Sequence, residues 1–106
     1  MSAITTHVLD TARGCPAAGI PVTLERQDGD WSTVSQGTTN ADGRIADLLA
    51  PGALSVGTWR ITFDLTDYQE GFYPYATIVF RVTDTGAHYH VPLLLSPYGY
   101  STYRGS

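Results

Sequence analysis

The sequence predicts an all-β protein, a two-sheet antiparallel sandwich of about eight short strands. Three observations predict it. Apolar residues alternate with polar ones along several segments, the signature of strands with one buried face. Gly, Pro and Asp-Gly pairs punctuate those segments at short intervals. No window sustains a 3.6-residue period over ten or more residues, so at most one short helix or turn fits, near 66–71.

Each element follows from its residues. Residues 4–10 form a first candidate strand, closed by the turn residues Gly14, Pro16 and Gly19. Residues 21–26 place Val22 and Leu24 on one face. Asp28-Gly29 then supplies a hairpin turn, and 31–38 is the return strand. Asn40-Ala41-Asp42-Gly43 makes a second turn and delivers Arg44 at the start of a short strand over 44–47. Residues 59–64, 77–82, 88–95 and 98–103 complete the set. No repeat or linker interrupts the chain, so 1–106 is expected to be a single domain.

Composition narrows the function. Charged residues make up only 15% of the chain, below the usual share of about 25%, so much of its surface is weakly charged and open to subunit contacts. The formal charge is −4 and no Lys or Arg block exists, which argues against nucleic acid as a partner. The one cysteine, Cys15, has no partner for a disulfide or a structural zinc site, and reads as a small thiol near a turn. The first residues carry no basic leader or long apolar stretch, so a cytoplasmic protein is expected. The apolar run at 91–95 is far too short to cross a bilayer, and no membrane role is expected.

The candidate chemistry rests on few groups. His88 and His90 stand two apart in a strand pattern and therefore share a face, whereas His7 lies in another strand. A His-x-His pair with a remote third histidine fits an open zinc site. It fits metal-free acid/base work equally, because His titrates near neutral pH without special tuning. Arg44 is either a solvated turn residue or an anion clamp with a planar donor fork. Chain ends usually fray, yet Tyr98, Tyr100 and Tyr103 alternate with small residues, so the tail reads as a strand that would set Arg104 and Ser106 at defined positions. No Gly-x-Ser-x-Gly elbow or Gly-rich phosphate loop is present.

Two stretches go further. His7-Val8-Leu9-Asp10 with Gly14-Cys15-Pro16-Ala17 and Ile20-Pro21-Val22 resembles the N-terminal signature of the transthyretin family. The run from Tyr89-His90-Val91-Pro92 through Ser96-Pro97-Tyr98-Gly99-Tyr100-Ser101 resembles its C-terminal signature, and Asp42-Gly43-Arg44 matches the family's turn between them. The likeness spans essentially the whole chain. The family divides into hormone carriers and 5-hydroxyisourate hydrolases. His7, Arg44, the pair Tyr89-His90 and the ending Tyr103-Arg104-Gly105-Ser106 are each similar to the hydrolase branch.

The resemblance implies a homotetramer, a dimer of dimers, with sites at the dimer–dimer interface. It implies a metal-free and cofactor-free hydrolysis of 5-hydroxyisourate. His7, Arg44, His90 and Ser106 would be catalytic, Tyr103 and Arg104 would bind substrate, and His88 is left as a supporting candidate only. A carrier that binds a small ligand in the tetramer channel is the alternative. One departure concerns the family's short helix between its fifth and sixth strands, for which residues 65–75 leave room only for a turn.

Overall fold

A computed structural model describes residues 2–106. Ten strands follow one another: β1 (Ile4–Thr5), β2 (Val8–Asp10), β3 (Cys15–Pro16), β4 (Pro21–Asp28), β5 (Asp30–Thr38), β6 (Gly57–Asp64), β7 (Tyr75–Val82), β8 (Tyr89–His90), β9 (Leu93–Ser96) and β10 (Gly99–Thr102). One sheet has the order β5-β4-β6-β7 and is antiparallel throughout. The other has the order β10-β9-β2-β3, and β1 and β8, which precede β2 and β9 in the chain, form a separate two-stranded pair.

The period-two pattern explains the core between them. Val22 and Leu24 of β4, and Trp59, Ile61 and Phe63 of β6, turn inward from the first sheet. Ile4, Val8, Leu93 and Leu95 meet them from the second, and all belong to one buried cluster. Alternate side chains on a strand face opposite ways, so each inward residue leaves its neighbour for the surface.

The sandwich is as expected, with three local differences. The expected strand 4–10 is split into β1 and β2, and 88–95 into β8 and β9. Both gaps lie at one place, because Thr5 pairs with His90 before the gap and Val8 with Leu93 after it. Pro92 sits in the gap, and a proline brings no N–H to a ladder. Secondly, this seam is parallel, not antiparallel. Its two halves come from opposite ends of the chain, so no hairpin dictates their direction. Thirdly, 44–47 is not a strand. Arg44 makes a lone bridge to His7, and Asp47 has φ of 55°, a left-handed conformation that ends extension.

The region near 66–71 holds a turn and no helix. The Asp64 carboxylate accepts from the Thr66 amide and hydroxyl, and the Tyr68 and Gln69 amides both donate to the Leu65 carbonyl. That tightens the chain for one turn only. No helix among the described residues is long and apolar enough to cross a membrane.

Candidate active site

Arg44 is held opposite His7 by a turn that only glycine can make. Gly43 has φ of 73°, and a Cβ there would collide with the Val8 carbonyl oxygen. The Gly43 carbonyl accepts from the Val8 amide at 2.8 Å. The Asn40 side chain closes the loop by accepting from the Asp42 amide at 2.9 Å and the Arg44 amide at 3.1 Å. Arg44 thus bridges His7 in antiparallel register, with its own side chain exposed to solvent.

His90 is held from both sides. On one side it pairs with Thr5 across the parallel seam. On the other it bridges Gly105, whose amide donates to the His90 carbonyl at 2.9 Å. A Cβ on Gly105 would collide with Cδ2 of the His90 ring, so glycine is what lets the tail lie against the histidine. The Thr5 hydroxyl lies 2.8 Å from His90 Nδ1 and 2.8 Å from His88 Nε2. The two imidazoles, on one strand face as their spacing requires, lie 6.3 Å apart at 24°.

This surrounding tunes His90. Burial pushes its pKa below the ordinary histidine value, and the positive charge of Arg44 and then the neighbouring His88 and His7 push the same way. A hydrogen bond with the Thr5 backbone opposes them weakly. His90 is therefore neutral at pH 7, with a lone pair available to accept a proton.

The tail is ordered, as its alternating tyrosines predict. The Arg104 guanidinium lies 4.5 Å above the Tyr89 ring, and its Nη2 donates to the His88 carbonyl at 3.3 Å. The Thr102 hydroxyl donates to the Pro92 carbonyl at 2.8 Å. The structure thus gathers His7, Arg44 and His90, together with His88, the supporting candidate. Tyr103 and Arg104 instead line an adjoining cavity of about 330 Å³ with Ile78, Phe80, Arg81 and Tyr89. None of the three gathered residues lines that cavity. Ser106 follows Gly105 and is exposed.

One position escaped sequence reasoning, and one was read only within a motif. Thr5 looks like any strand threonine until the register sets it opposite His90. Gly105 is readable only as part of the terminal motif. Cys15 is half-buried on β3, opposite Asp10, and plays no part in the cluster. Among the described residues, no group of three or more His, Cys, Asp and Glu side chains is arranged to hold a metal ion.

The family model described as HIUase/Transthyretin family matches residues 4–105. The 5-hydroxyisourate hydrolase of Deinococcus radiodurans is 51% identical, over 97% of this chain and 95% of that one. The solved structure of Klebsiella pneumoniae 5-hydroxyisourate hydrolase superposes with a TM-score of 0.84 at 36% identity, covering 97% of this chain and 92% of that one. Sea bream transthyretin in complex with thyroxine superposes with a TM-score of 0.92 at 28% identity, covering 98% and 95%. The chain belongs to the HIUase/Transthyretin family. Within it the backbone superposes on thyroxine-bound transthyretin and on a hydrolase alike, and a shared fold does not fix function. Identity is higher towards the hydrolases.

Proposed function

We propose that this protein hydrolyses 5-hydroxyisourate, with residues 1–106 acting as one hydrolase domain. The reaction opens the six-membered ring at its N1–C6 amide and yields 2-oxo-4-hydroxy-4-carboxy-5-ureidoimidazoline, a step of urate degradation. One observation carries this reading: His90, held between Thr5 and Gly105, stands with His7 and Arg44, which bridge each other, and burial and the Arg44 charge lower its pKa. The likeness to named hydrolases supports it.

In this mechanism His90 Nε2 takes a proton from the attacking water, and His7 orients that water or assists the leaving nitrogen. General acid–base help of this kind is worth about a hundredfold to ten-thousandfold. Arg44 stabilises charge that develops on the carbonyl oxygen, or holds an anionic substrate. Ser106 adds a hydroxyl beside Gly105. Tyr103 and Arg104 hold the far side of the substrate from the adjoining cavity. The scheme uses no metal and no cofactor, and we assign the protein to the cytoplasm.

We further propose a homotetramer, a dimer of dimers, with the sites at the dimer–dimer interface. The edge strand β7 supports it, since Tyr75 and Val79 are exposed along an unpaired eight-residue edge.

The test generates 5-hydroxyisourate from urate with a urate oxidase and follows its decay. The protein should accelerate decay over the spontaneous rate, and His90→Asn should abolish the effect without unfolding. Because only neutral His90 accepts a proton, activity should fall as pH drops through a value below about 6.5, the ordinary histidine value. No acceleration by the unmodified protein would favour the second reading, a small-ligand carrier, for which the superposition on thyroxine-bound transthyretin speaks.

A further inference from the structure

The most unusual contact at the site is the Thr5 hydroxyl, which stands 2.8 Å from a ring nitrogen of each of two histidines. A hydroxyl owns one proton and cannot donate to both rings. At least one ring must present an N–H to it, so the protonation patterns of His88 and His90 are linked through one oxygen. The two rings also differ in surroundings. His90 is half-buried, and the charged or titratable groups acting on it, Arg44, His88 and His7, all resist a positive charge there. His88 is exposed to water. The Arg104 guanidinium approaches the His88 main-chain carbonyl.

We propose that Thr5 is a proton bridge that lets His88 hold, during turnover, the charge that His90 cannot keep. The proposal deepens the hydrolase reading and rests on it. In the resting state His90 carries its proton on Nδ1 and donates it to Thr5 Oγ1. Thr5 donates its own proton to His88 Nε2, and His90 Nε2 is free. When water attacks, His90 Nε2 takes a proton from it. The Nδ1 proton of His90 then moves to Thr5 Oγ1 as the Thr5 proton moves to His88 Nε2.

One bond to hydrogen forms and one breaks at Thr5, so its hydroxyl is restored. His90 ends neutral, protonated on Nε2, and His88 becomes the imidazolium in water. As the amide nitrogen leaves, His90 gives it the Nε2 proton and the other two shifts reverse. The net transfer is one proton from water to the leaving nitrogen. Thr5 and His88 are positioning residues here, since neither touches the substrate.

The test compares Thr5→Val, Thr5→Ser and His88→Gln in the 5-hydroxyisourate assay, alongside the ring nitrogen signals of the substrate-free protein by NMR. Thr5→Val keeps the shape and loses the hydroxyl; kcat should drop about tenfold or more with KM nearly unchanged. Thr5→Ser restores the hydroxyl and should keep kcat within a few-fold of the parent. His88→Gln should lower kcat, and added imidazole should recover part of the loss by serving as an external proton acceptor. NMR should find both rings protonated on Nδ1 in the parent, with His90 shifting towards Nε2–H in Thr5→Val.

Equal losses in Thr5→Val and Thr5→Ser would mean a packing role and overturn the bridge. So would an undiminished kcat in His88→Gln, or ring protonation that ignores Thr5→Val. If the parent did not accelerate decay at all, the hydrolase reading would fall, and the NMR comparison would still decide whether Thr5 links the two rings.

Discussion

Single atoms decide the geometry around His90. Gly105 carries no Cβ, and one placed there would collide with the imidazole. The ring would have to rotate, and its 2.8 Å contact with the Thr5 hydroxyl would go with it. Gly105→Ala should therefore lower kcat about a hundredfold, the scale expected when a catalytic group is displaced by about 1 Å. The melting temperature should stay within a few degrees, because the tail edge buries little. Steady-state kinetics beside a thermal melt would check this. A variant with full activity would show that the tail does not position His90. Gly43 works the same way at the other wall, where only glycine lets the turn close beneath Arg44.

At the scale of elements, Asp10 ties three pieces together. The carboxylate at the end of β2 is buried and accepts from the Ala12 and Arg13 amides at 3.0 Å and from the Tyr68 hydroxyl at 2.7 Å. It thereby fastens the β2–β3 turn and the turn after β6 to the second sheet. Burial alone would raise its pKa, but the Tyr68 hydroxyl and the two amides prevail and hold it below the usual carboxylate value. Asp10→Ala should cost about 1–3 kcal/mol, since it removes three hydrogen bonds accepted by a buried carboxylate. Denaturant unfolding would measure the loss. A depressed folded-state pKa means that the carboxylate stabilises the protein above its unfolded value of about 3.9, and that this contribution fades as pH falls through the folded value. The difference between parent and variant should shrink accordingly in acid.

The long strands β4 to β7 were legible from period-two alternation because each pairs with neighbours through nearby turns. The parallel seam was not, because pairing between β1–β2 and β8–β9 is set by the folded sandwich and leaves no local pattern. The site divides along the same line. His7, Arg44 and His90 were marked by motifs, whereas the link from Thr5 to both histidines depends on register between residues more than 80 apart.

For the whole molecule, the prediction is assembly. A scarcity of charge at 15% and an uncovered β7 edge with exposed Tyr75 and Val79 favour self-association over a lone chain. Sedimentation should find a species of four chains, and Val79→Lys should shift it towards smaller ones, since charge on an edge strand discourages pairing. A parent that sediments as a single chain at micromolar concentration would refute the tetramer.

The parallel seam also bears on the protein's birth. Its partners come from opposite ends of the chain, 85 residues apart at Thr5 and His90, and closing so long a loop is entropically costly and slow. During synthesis β1 and β2 emerge long before their hydrogen-bonding partners β8 and β9. The cluster around His90 therefore cannot form until β8 and β9 have been translated. Under the proposed mechanism, activity would therefore report that synthesis and folding had passed β9.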